Sequence, residues 1–253
     1  LGGIGLGIPI GREQQVRVDA QRRADTHQWQ DEQPDNVGQL RGWLSAQDEG
    51  EETAPEALPP LPDSATLPAD LQRAFNRFHC AATDGTPSMQ CEALAVLQAD
   101  SRFEPGSASA PALMPGRANG IYTAGQEITL AAKASSEFDG YLYVDYFDSE
   151  GNVYHMRPGR QSEVDPQKAA AWIKLGGQPG ARYIACPPFG SDLVVAISLP
   201  QPIFERDRPL QEPAARYLAD LHERLQEVAR ERGARPVSGY TVVVTFPRGS
   251  TNL

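Results

Sequence analysis

The sequence predicts an α+β fold, in which an antiparallel, β-rich C-terminal domain carries one packed amphipathic helix. A small helical region and an acidic, proline-rich linker precede it. Three observations lead there. β-Branched and aromatic runs separated by turn residues succeed one another from Ile121 onward. One long stretch, residues 212–232, repeats its apolar residues at intervals of three and four. Chain breakers are plentiful, with 23 glycines and 22 prolines in 253 residues, as a loop-rich β-containing protein requires. Hydrophobic residues at 40 % and charged residues at 22 % describe ordinary globular composition. The net charge of −10 argues against nucleic acid as a partner, because phosphate contacts need a basic face. No apolar run approaches the roughly 18–20 residues that cross a bilayer.

Residues 1–46 read as a membrane-proximal stub and helical region. The uncharged, glycine-rich opening Leu1–Ile10 reads either as the last turns of a transmembrane helix or as a flexible end. Residues 12–32 are polar and helix-tolerant, with a thin apolar stripe of Val16, Ala20, Ala24 and His27. Pro34 and Asp35 break that helix, and Val37, Leu40, Trp43 and Leu44 form a second short pattern. Residues 47–66 form a linker with six acidic residues, four prolines and no Lys or Arg. Such a stretch buries too little apolar area to offset its ordering entropy.

Residues 67–103 read as a small helical hairpin. Pro68 opens the first helix, whose face is Leu71, Phe75 and Phe78; Cys91, Leu94 and Leu97 line the second. A Ser-, Ala-, Pro- and Gly-rich linker follows at 104–119, and residues 120–250 form the β-rich domain. Its expected strands are Ile128–Lys133, Tyr141–Phe147, 153–156, 182–186, 193–199 and 240–246. The second and third make a hairpin whose turn, Asp148-Ser-Glu-Gly-Asn152, places Gly151 for a positive φ. Residues 166–172 read as a short helix. In the 212–232 helix, Ala214, Tyr217, Leu218, Leu221, Leu225 and Val228 form the stripe, and Gly233 closes it.

Few residues carry recognisable chemistry. The chain lacks a GxSxG elbow, a Walker A loop, HExxH, and GxGxxG before a helix. The acidic run Asp145, Asp148, Glu150 and Asn152 fails as a calcium loop, because positions six and twelve from Asp145 are Glu150 and Met156. His27, His79, His155 and His222 include no pair four apart, so no metal site is expected. Cys80 and Cys91, on adjacent helices joined by the turn-rich stretch 82–88, either pair as a disulfide or act as small buried hydrophobes. Cys186 reads as a strand residue. A hydrolase would need Asp145, His155 and Ser149 to converge. A binding patch is expected at Tyr154, His155, Arg157 and Arg160, beside the aromatic strand, because aromatic and arginine side chains dominate recognition hot spots. The two arginines are the groups able to receive an anion. The competing reading makes Tyr141, Tyr143 and Tyr154 cross-strand packing and the arginines solvated.

Several segments recur in a known pattern. They are Tyr122-Thr-Ala-Gly-Gln-Glu-Ile-Thr-Leu130, Gly140-Tyr-Leu-Tyr-Val144, Asp148-Ser-Glu-Gly-Asn-Val153, Arg157-Pro158 and Pro188-Phe-Gly-Ser-Asp192. In this order they resemble the bacterial module called domain of unknown function 4384, over about residues 120–200. The resemblance implies a small β-rich domain without an assigned catalytic site, of the kind found C-terminal to membrane-anchored Ser/Thr kinases. No HRD, DFG or VAIK motif lies in the chain, so a kinase would lie upstream. The expectation is a non-enzymatic, extracytoplasmic sensor or protein-interaction module of a bacterial signalling protein, linked to a secretion system. It would be membrane-anchored and periplasmic (the cytoplasm is the alternative), without cofactor, and would bind an envelope protein or peptide. A structural accessory or lipoprotein-like component of a cell-envelope secretion machine is the alternative function.

Overall fold

A computed structural model describes residues 58–63, 66–80, 87–103, 107–158, 166–177, 182–204, 208–232 and 235–249. The expected stub, the 12–32 helix, the 37–44 pattern, most of the acidic linker, Arg160 and Gly233 lie outside the described residues.

The fold is α+β, built on a seven-stranded sheet. Its strands run in the order β1 (Arg102–Phe103), β12 (Val237–Phe246), β10 (Ser191–Leu199), β6 (Tyr141–Phe147), β7 (Asn152–Arg157) and β11 (Gln211–Pro213), with β3 (Ile121–Thr123) also on β12. The central ladders are antiparallel, whereas β1 and β3 join the start and end of β12 in parallel. The sheet is therefore mixed at one edge. Eight of the nine residues of β10 are buried. That is the pattern of a strand covered on both faces, and it explains the unbroken apolar run Leu193–Ile197.

Helices cover one face. α1 (Ala69–Arg77) and α2 (Met89–Asp100) pack there with α3 (Ala214–Arg232). α1 ends in a Schellman turn: His79 takes a positive φ of 56°, its N–H reaches the Asn76 carbonyl, and the Cys80 N–H reaches Phe75. Ser88 caps α2 through the Cys91 amide. Cys80 and Cys91 are joined in a disulfide with their Cα atoms 5.5 Å apart. All six residues of the α3 stripe are buried, against Tyr143, Phe147, Val195 and Ile197 among others. Each large side chain there stabilises by about 1.5–3 kcal/mol, an upper bound.

The other face is covered by two small sheets. β2 (Ala112–Pro115), β5 (Leu130–Lys133) and β8 (Trp172–Leu175) form one, and β4 (Glu127–Ile128) with β9 (Tyr183–Ile184) forms the other. Leu142, Val144, Tyr146, Val194 and Ala196 of the main sheet pack against Ile128, Leu130, Ala132 and Leu175 of this layer.

Several local expectations change. The strand foreseen at Ile128–Lys133 is interrupted at Thr129, and its halves join different small sheets. Residues 166–172 contain no helix. Ala170 has a positive φ of 57°, Asp139 holds the Lys168 ammonium and the Ala169 amide, and Trp172 begins β8. Pairing with β5 overrides the helix propensity of three alanines. The 104–119 linker contains β2. The end of the acidic linker packs on the helical core through Leu58 and Leu61. Prolines favour an extended helix of three residues per turn, in which those two leucines share a side. Cys186 lies in the loop after β9, outside any strand.

Candidate functional site

Tyr154 and His155 are consecutive strand residues, so their side chains point to opposite faces of the main sheet. Both are buried. Two separate polar assemblies result, one on each face.

The assembly on the helical face begins with the register of the β6–β7 hairpin. Its turn has Gly151 at a φ of 86°, and Asp148 Oδ1 accepts the Glu150 and Asn152 amides. These bonds consume the side chain that a calcium loop would use. The resulting register sets Asp145 opposite His155. His155 Nδ1 lies 2.7 Å from Asp145 Oδ1, and Nε2 lies 2.8 Å from Glu212 Oε1. A ring that faces a carboxylate oxygen at each nitrogen must donate from both, so it is imidazolium. Burial alone would lower its pKa; the hydrogen bonds to Asp145 and then Glu212 overcome that and raise it to about 9. Glu212 shows the reverse: burial would raise it, but His155 and Arg208 bring it down to about 2.

The assembly is closed by its neighbours. Tyr217 donates to Asp145 Oδ2 at 2.6 Å. Arg208 grips both Glu212 oxygens at 2.6 Å and reaches Asp220 at 2.9 Å, with its guanidinium over the rings of Phe204 and Tyr217. Both His155 nitrogens face carboxylates, which leaves none for Ser149. The structure brings Asp145 and His155 together but builds no triad with that serine. This network ties α3 and β11 to the hairpin.

The assembly on the opposite face is a pocket. It lies between the main sheet and the second layer, and its volume is about 470 Å³ counted out to the open mouth. Tyr146 of β6, Tyr154 and Met156 of β7, and Tyr183 of β9 form much of its wall. Asp192, Thr245, Asp148, Cys186 and Pro188 also line it, and no Lys, Arg or His does. Asp192 is the second residue of β10, 2 % exposed. Tyr146 donates to its Oδ2 at 2.6 Å. Its Oδ1 is buried with no hydrogen-bond partner. The Ser149 amide and Thr245 hydroxyl are near enough to favour the charged form in part, but neither bonds Oδ1. Burial raises the Asp192 carboxyl to about 7; the Tyr146 hydrogen bond opposes the rise and the charge of Asp148 adds to it. Buried acceptors in folded proteins are ordinarily satisfied, so Oδ1 stands out.

The expected patch is thus dispersed. Tyr154 lines the pocket, His155 belongs to the closed network, and Arg157 is half-buried at the end of β7 with partners of its own. Arg160 lies outside the described residues. Sequence reasoning missed Asp192, Tyr146, Arg208 and Glu212 as members of these assemblies. Asp192 had a signal: it is an acid at the head of an otherwise apolar strand, and it ends the Pro188–Asp192 segment of the family-like pattern. Arg208 and Glu212 belong to no motif and meet the hairpin only through the fold.

Among the described residues no group of three or more His, Cys, Asp or Glu is placed to hold a metal. No described helix is long and apolar enough to cross a membrane. Comparisons with protein-family models, curated proteins and solved structures find no match for this chain.

Proposed function

We propose that this chain is a non-catalytic binding module of a bacterial membrane-anchored signalling protein, and that its binding site is the pocket around Asp192. The observation that carries the reading is Asp192, which lines a mainly aromatic and apolar pocket and whose Oδ1 is buried without a hydrogen-bond partner. Such a group weakens the fold, and perturbed carboxyls in clefts mark functional sites. The ionisable groups of the opposite face, by contrast, are bound to one another. Two further features support the reading. The Cys80–Cys91 disulfide suits an oxidising compartment outside the cytoplasm. The resemblance to domain of unknown function 4384 suggests an attachment to a Ser/Thr kinase.

Cys186 provides a reporter, since it lines the pocket and is in no disulfide. The full chain is treated with a thiol-alkylating reagent while a panel of small amines, alcohols, carboxylates and short peptides is screened. The expected result is that some members slow alkylation at Cys186 and raise the melting temperature together. Uniform alkylation rates and melting temperatures across the panel would remove the pocket as a binding site.

A further inference from the structure

We infer that the Asp192 pocket receives a primary ammonium group on a short apolar stem, with Asp192 Oδ1 as its acceptor and the rings of Tyr146, Tyr154 and Tyr183 around the stem. The inference rests on the reading of this pocket as the binding site.

Three properties of the lining select that chemistry. In the charged form of Asp192 the unmet Oδ1 only accepts, so a ligand that binds that form must bring a donor. Among the described residues the lining contains two acidic side chains, Asp148 and Asp192, and no cationic one. An anionic ligand would meet like charge without compensation, whereas a cation is attracted by both. The walls are aromatic, and tyrosine faces favour a cation electrostatically while their carbons favour an alkyl stem. Tyr146 and Tyr154 stand edge to face at 6.2 Å, which fixes their orientation before a ligand arrives.

The enclosed part of the pocket is small, which restricts the ligand to a slender group. Oδ1 itself is covered, so the lining must part for the ammonium to reach it. Ala185, Cys186 and Pro188, in the loop after β9, and Asp148, at the hairpin turn, are the lining residues outside any strand. A free alkylamine and the lysine side chain of a partner peptide present the same group, and both satisfy the site.

The test uses the full chain and its amide resonances around residues 183–192. Butylammonium is titrated against n-butanol and butyrate, and a lysine-containing peptide against its Nε-acetylated form, in wild type and in Asp192→Asn. Butylammonium, or the unmodified peptide, should shift these amides, and Asp192→Asn should weaken that binding about tenfold or more. The weaker binding must occur with the amide spectrum otherwise retained. Binding of the peptide alone would place the source in a partner protein, and binding of butylammonium would admit a free amine; either supports the inference. Equal binding of n-butanol, or undiminished binding by the variant, would overturn recognition of the ammonium while leaving the pocket as a binding site. Preferential binding of butyrate would do the same. Silence of the pocket amides toward every probe would overturn both readings.

Discussion

A carboxyl group buried beside apolar side chains is stable when neutral and costly when charged, and burial accordingly pushes Asp192 up to about 7. Among the described residues Tyr146, Asp148, Ser149 and Thr245 act on it, Tyr154, Tyr183 and Cys186 share its pocket lining, and none of these is a cation. Because its folded pKa is raised, the folded state holds its proton more tightly. Its contribution is whole below the unfolded value near 4 and is lost as the pH climbs through 7. The loss amounts to about 4 kcal/mol. Asp192→Asn removes the titration but leaves a buried amide with its own cost of about 1–3 kcal/mol. We therefore expect the variant to be more stable than wild type by about 1–3 kcal/mol at pH 8 and no more stable at pH 4, measured by urea unfolding. A variant equal to wild type at pH 8 would contradict the buried charge. His155 and Glu212 follow other windows. The raised pKa of His155 gives a contribution that is whole below about 6.5 and lost as the pH rises through about 9. The lowered pKa of Glu212 gives one that is whole above about 4.5 and lost as the pH falls through about 2. His155→Ala removes the counter-ion of the buried Asp145, while Arg208 still holds Glu212, and should cost about 3–5 kcal/mol at pH 6. The difference from wild type should shrink at pH 10, where His155 is neutral in both states.

At the level of elements, α3 and the α1–α2 pair hold the helical face by different means. α3 is held by burial, with the Asp145–His155–Glu212 network at its start and a buried His222–Asp100 pair that ties it to α2. Leu221 is 1 % exposed in the middle of its stripe. Leu221→Asp places an unpaired charge there, and circular dichroism should show an unfolded chain or a melting temperature lowered by at least about 10 °C. An unchanged melting curve would mean that the helix does not pack where it is seen. The α1–α2 pair is closed by a disulfide spanning 11 residues. A loop of that length restricts the unfolded chain, so replacing both cysteines by serine should cost about 2–3 kcal/mol. Thiol titration of the unfolded wild type without reductant should find one free cysteine, and three would contradict the bridge. Both elements were readable from their spacing. The six-residue stripe of α3 is a regular helical pattern, and Leu71 and Phe75 mark the α1 face. The 166–172 segment was misread for an opposite reason. Its alanines favour helix weakly, and only pairing with β5, decided more than thirty residues away in sequence, makes Trp172–Leu175 a strand.

Across the whole molecule, the helical pair and the sheet share one core, since Leu71, Phe75, Leu94 and Leu97 belong to the same cluster as Leu193, Val195 and Ile197. A chain beginning after residue 103 would expose that face of β10 and should lose cooperative unfolding. A sharp transition in the shortened chain would restore the separation into two units that the linker composition suggested. The central hairpin and the α3 helix were legible because turn chemistry and periodicity are local. In the second layer the expected strands at 128–133 and 182–186 contain β5 and β9, but β2 and β8 and the pairing of all five strands, each of two to four residues, depend on contacts distant in sequence. The pocket lies between that layer and the main sheet, so its members could not be assembled from spacing. Tyr154 stands out in the sequence by its residue type, and Asp192 only as the last residue of the Pro188–Asp192 pattern. The most direct test of the ammonium site is the titration of Asp192, followed by carboxyl carbon NMR in the full chain with and without saturating butylammonium. It predicts a midpoint at about 7 in the free protein and a fall toward the ordinary carboxylate range when the ammonium is bound. A midpoint near 4 in the free protein, or one near 7 that butylammonium leaves in place, would contradict it.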